Sequence, residues 1–84
     1  MKIKILWQKK CPHCPEAKNT GKQLEKEAEV QYFDVDTFDG LAEASYYDIA
    51  STPSIVVLDN NENEIKIWRG KTPRLEEIRE EAAI

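Results

Sequence analysis

Cysteine, histidine and glycine are all scarce in this sequence of 84 residues: two cysteines, one histidine and three glycines. Two cysteines three positions apart cannot frame a small secreted domain, because the loop they close is too short to restrict much of the unfolded chain. There is no second cysteine pair to complete a four-thiolate zinc site, and the only histidine lies inside the same tetrapeptide. No apolar run approaches the ~20 residues of a membrane-spanning helix. The N-terminal stretch Met1–Trp7 mixes lysine with apolar groups and lacks the continuous apolar core of a secretion signal. A basic excess is missing too. Twelve Lys+Arg stand against sixteen Asp+Glu, a net charge of −4, which argues against nucleic acid as a partner. What these absences leave is a single globular domain over residues 1–84, expected to be cytoplasmic and monomeric.

The charge is uneven. Met1 to Leu24 holds six lysines and one acid, Glu16, whereas the acidic excess lies between Glu25 and Glu62. Such asymmetry can steer a charged partner, although solvated faces are its commoner meaning.

The apolar pattern changes period along the chain. Ile3, Ile5 and Trp7 recur at alternate positions, as in a strand. From Pro12 to Glu29 the spacing of Ala17, Gly21, Leu24 and Ala28 follows one helical face, made of small groups suited to close packing on a sheet. Gly21 costs about 1 kcal/mol against alanine in a helix interior, so it marks a close approach. Residues 30–35 read as a second strand by their β-branched and aromatic content. A short helix is predicted over Leu41–Tyr47, opened by Asp39 or Gly40. Ile55–Leu58 is a continuous apolar run, the signature of a strand covered on both faces. A polar loop over 59–63 leads to an edge strand, Glu64–Arg69. The last helix is predicted with Thr72 as N-cap and Pro73 as its first residue. The order β-α-β-α-β-β-α implies an α/β fold: a four-stranded mixed sheet, its first two strands parallel and its last two antiparallel, flanked by three helices.

Both cysteines fall in Cys11-Pro12-His13-Cys14, where the first strand gives way to the first helix. Backbone N–H groups and the helix dipole stabilise a thiolate at such a junction, lowering cysteine pKa values to ~3.5–7.5. An imidazolium at His13 or an ammonium at Lys10 favours the thiolate further. Buried packing is the bland alternative for a cysteine pair. Dithiol redox chemistry fits the spacing better, and a soft-metal site using both sulfurs stays open beside it.

With these residues in view, the chain resembles the thioredoxin–glutaredoxin superfamily, in the compact glutaredoxin-like form of small archaeal thioredoxins. The resemblance rests on Cys11-Pro12-His13-Cys14, on the run Tyr47 to Pro53 that ends in Thr52-Pro53, and on Gly70 after the last strand. It implies a thioredoxin-like fold with a disulfide between Cys11 and Cys14, Cys11 as nucleophile and Cys14 as resolving residue. It also implies a cis peptide bond before Pro53, with Thr52, Pro53, Gly70 and Lys10 contacting the substrate. The implied activity is reduction of protein disulfides without a bound cofactor or metal, the dithiol being restored by a flavoprotein of thioredoxin-reductase type. There are departures. Lys10 and Pro-His stand where thioredoxins have Trp and Gly-Pro, and no acid lies between Lys2 and Lys10. Gly70-Lys71-Thr72 lacks the second glycine and the acid with which glutaredoxins hold glutathione. A glutathione-dependent glutaredoxin and a CxxC metal-binding domain are the alternatives.

Overall fold

Both faces of the central strand are covered, and that sets the layering. In a computed structural model describing residues 1–84, β1 (Lys2–Trp7) sends Ile3 and Ile5 to one side and Lys4 and Leu6 to the other, and all four are buried. On the first side Ile3 and Ile5 pack with Ala17 and Leu24 of α1 (Cys14–Leu24) and Ile78 and Ala82 of α3 (Leu75–Ala82). On the other, Leu6 packs with Ala44 of α2 (Phe38–Tyr46) and with Tyr47 and Ile49 just beyond it. Two helices lie on one face and one on the other. The strand order is β2-β1-β3-β4, with β2 spanning Glu29–Asp34, β3 Ser54–Leu58 and β4 Glu64–Arg69. β1 runs parallel to β2 and antiparallel to β3, and β3 is antiparallel to β4. This is the mixed sheet that the element order implied. No helix is long and apolar enough to cross a membrane.

Gly21 is where its mid-helix position suggested, at a close approach. A Cβ there would collide with Ile5 Cδ1 and come within 2.9 Å of the Tyr32 hydroxyl, so α1 can lie on the sheet only without a side chain at this point.

Several element boundaries differ from the sequence reading. α1 begins at Cys14, with His13 as its N-cap, so Cys11 and Pro12 lie before the helix. The cause is Pro15: it has no N–H to give to the Cys11 carbonyl, and the Cys14 N–H takes that acceptor instead at 3.3 Å, in a tight turn. The same helix stops at Leu24, where Glu27 and Ala28 both donate to the Leu24 carbonyl and turn the chain into β2. Glu29 is therefore strand. α2 starts earlier than predicted, because Thr37 is its cap: Thr37 Oγ1 accepts the Gly40 N–H at 3.1 Å and donates to the Asp34 carbonyl at 2.6 Å. Arg74, not Thr72, holds the N-cap position of α3, with extended backbone and no side-chain bond to the helix; Thr72, its hydroxyl turned inward, and Pro73 precede it.

Lys4 is the one charged residue of the interior, 7% exposed. Its Nζ donates to Glu43 Oε1 at 2.6 Å and to the Tyr47 hydroxyl at 3.2 Å, and it lies 5.1 Å from the Tyr47 ring centroid. Burial pulls its pKa down, but the hydrogen bonds to Glu43 and Tyr47 outweigh burial and hold it above the ordinary 10.5. A value raised in the folded state gives stability that is complete below pH 10.5 and fades as pH rises through the folded-state value. Lys4→Met removes two hydrogen bonds to a charged donor, so a loss of about 2 kcal/mol is expected in urea unfolding at pH 7. The difference from the parent should narrow above pH 10.5. A pH-independent difference would mean that Lys4 contributes by packing alone.

Candidate active site

Strand register gathers the site at one end of the sheet. Leu6 pairs with Ser54, and continuing that antiparallel register sets Gln8 opposite Thr52. Ser54 also pairs with Arg69, which sets Gly70 beside Pro53. The loop that follows β1 carries Cys11, so the disulfide loop, the Thr52–Pro53 turn and Gly70 converge although they are far apart in sequence. The peptide bond between Thr52 and Pro53 is cis, and Pro53 is buried.

Hydrogen bonds tie these loops together. Gln8 is the hub. Its carbonyl accepts the Cys11 N–H at 3.2 Å, its amide Nε2 donates to Asp36 Oδ1 at 2.9 Å, and its Oε1 accepts the Thr52 hydroxyl at 3.5 Å. Ser54 makes the second link, donating its hydroxyl to the Ser51 carbonyl at 2.7 Å and accepting the Gly70 N–H at 3.2 Å. Gly70 has φ +74°, a conformation that side chains oppose, and a Cβ there would stand 2.8 Å from Ser51 Oγ. Neither Gln8 nor Ser54 was singled out from the sequence. Their roles come from register, and polar residues beside a motif carry no mark of it.

Cys11 and Cys14 form a disulfide with Cα atoms 5.3 Å apart. The two sulfurs are not equivalent. Cys14 opens α1 on its inward face and is 2% exposed, whereas Cys11 sits in the preceding turn and is partly exposed. Pro12 and His13, between them, are exposed. Lys10 is exposed on the same loop and makes no ion pair. Chemically the arrangement offers one sulfur to an incoming group and keeps the other behind it, within bonding reach.

The family model described as a thioredoxin domain matches residues 1–82. Among solved structures, thioredoxin 1 of Thermosipho africanus is similar over 99% of this chain and 91% of that one, at 21% identity and TM-score 0.71. The reduced thioredoxin of Schistosoma mansoni is similar at TM-score 0.78 and 17% identity, over 98% of this chain and 75% of that one. An uncharacterised thioredoxin-like protein of Clostridium perfringens is similar at TM-score 0.76 and 22% identity, over 98% of this chain and 68% of that one. No curated protein matches the chain in sequence. The chain belongs to the thioredoxin family, and its cysteine pair at disulfide distance makes it a thiol–disulfide oxidoreductase domain.

The difference in burial has a direct chemical readout. In the reduced protein, iodoacetamide should alkylate Cys11 at least about tenfold faster than Cys14, because reaction needs an accessible thiolate. Peptide mapping of a partial reaction measures the ratio. Preferential alkylation of Cys14 would reverse the two roles.

Proposed function

We propose that this thioredoxin-family domain is a cytoplasmic protein-disulfide reductase that works by dithiol exchange through Cys11 and Cys14. The observation that carries the reading is the paired cysteines, one residue partly exposed and the other buried. The Cys11 thiolate attacks one sulfur of a substrate disulfide. A mixed disulfide forms, and the second substrate sulfur leaves as a thiolate that takes up a proton. Cys14 then loses its proton and attacks Cys11 Sγ; the mixed disulfide breaks and the first substrate sulfur leaves as a thiolate, which is protonated in turn. Two electrons pass to the substrate, and the Cys11–Cys14 disulfide keeps the account in balance. A dithiol donor of thioredoxin-reductase type restores the starting state by the reverse exchange.

Gln8 and Thr52 support this reading by holding the disulfide loop against the turn before β3. An extended substrate segment could add its backbone beside Thr52 as a short strand. In this reading Pro12 and His13 shape the exposed turn, while Lys10 and Gly70 border the substrate. The active form is a monomer. A glutathione-dependent cycle fits less well, since Gly70-Lys71-Thr72 offers neither a second glycine nor an acid for that tripeptide. A soft-metal carrier needs both thiolates open to the incoming ion, and Cys14 is 2% exposed.

Insulin reduction with two regenerating systems tests the donor. A flavoprotein reductase with NADPH should sustain turnover at least about tenfold faster than millimolar glutathione, because Gly70-Lys71-Thr72 lacks the glycine and acid that would seat the tripeptide. Faster turnover with glutathione would favour the glutaredoxin reading. Absence of insulin reduction with either donor, together with tight Cu(I) binding, would favour the metal carrier.

A further inference from the structure

A groove of about 520 Å³ opens between α1 and β2, beside the disulfide but away from the Thr52–Pro53 turn. Trp7 and Pro15 form its apolar wall, and Lys18 and Lys22 supply two ammonium groups. Pro15 directly follows Cys14, so the groove begins where the redox pair ends. Lys18 and Lys22 are one and two turns further along α1, about 6 and 12 Å from Cys14 at 1.5 Å per residue.

The charge in this groove is free to act on a partner. Lys18 Nζ lies 3.2 Å from the centroid of the Trp7 ring, which takes part of its hydration away and holds it over the wall. Neither lysine is in an ion pair. Glu25, the one acid lining the groove, accepts the hydroxyl of Tyr32 and keeps its charge, so the lining carries two positive charges against one negative. Lys9 and Lys10 add two exposed positive charges on the disulfide loop, on a chain whose net charge is −4.

We infer that this groove is a docking site for an acidic segment of the disulfide-bearing protein substrate, one lying about two to four residues from the reacting cysteine. The spacing follows from an extended chain at ~3.3 Å per residue covering the distance from the disulfide to Lys18 and Lys22. The inference rests on the reductase reading and adds a substrate class to it. Charge complementarity of this kind acts chiefly on encounter, raising association rates by about 10-fold or more at low salt. It is screened once the Debye length falls to ~3 Å near 1 M.

Two disulfide-linked peptides test it, identical except for three glutamates or three glutamines placed about two to four residues from the cysteine. At low ionic strength the reduced protein should reduce the acidic peptide about tenfold faster in kcat/KM, and the preference should fall below about twofold near 1 M salt. Lys18→Gln/Lys22→Gln should remove the preference and leave the rate on the glutamine peptide as it was. Equal rates on the two peptides at low salt would overturn the docking site while leaving the reductase reading intact. A preference that survives in the double variant would place the effect on Lys9 and Lys10 and overturn the groove. Failure to reduce either peptide would remove the reductase reading and this inference together.

Discussion

The antiparallel pairing of β1 with β3 is the constraint on which the site depends. Register Leu6↔Ser54 leaves the residues after β1 and those before β3 facing each other at one end of the sheet. A slip by one residue would turn Leu6 and Lys4 to the opposite face and move Gln8 away from Thr52. The register is held from both sides. Ile3, Ile5, Ile55 and Val57 are buried under α1 and α3, and Leu6, Val56 and Leu58 under α2. The hydrophobic layers thus do more than stabilise the domain. They set the relative position of two loops that share no local contact along the chain.

On that frame the difference between the two cysteines follows from helix geometry. Cys14 is the first residue of α1 and faces inward with Ala17, Gly21 and Leu24, so it is buried with the helix. Cys11 precedes the helix in a turn whose N–H is held by the Gln8 carbonyl. Pro15 enforces the division, because it denies the Cys11 carbonyl a helical partner and so keeps Cys11 outside. One cysteine is partly exposed and the other buried, the asymmetry on which the proposed dithiol exchange rests. The basic groove next to it has a different origin: the polar side of α1 carries lysines where the inward side carries small groups.

Much of this was legible in the residues. Apolar period, β-branched content and capping residues together located all seven elements, and the continuous apolar run Ile55–Leu58 marked a central strand. Gly21 pointed to a close approach, and Cys11-Pro12-His13-Cys14 to the redox pair. The boundaries were less visible. Two prolines near the start of α1 allow two helix starts by composition, and only the loss of the Pro15 N–H decides between them. Thr37 and Asp39 are both good caps, and the hydroxyl of Thr37 wins because it can also reach the Asp34 carbonyl. Lys4 was concealed for another reason. A lysine in an alternating strand signals a solvated face, and its partners Glu43 and Tyr47 come from a distant helix and the turn that ends it. Gln8 carried no signal at all, because its importance arises from three bonds made only when the sheet is assembled.

The central claim is that Cys11 takes the substrate and Cys14 releases it. Trapping the mixed disulfide measures this most directly. Reduced Cys14→Ser protein, mixed with a disulfide-bonded substrate protein and separated without reductant, should accumulate a covalent adduct that peptide mapping assigns to Cys11. Cys11→Ser protein, treated alike, should accumulate little or none. Adduct formation through Cys14 in the Cys11→Ser protein, at a yield equal to that of the first variant, would contradict the account.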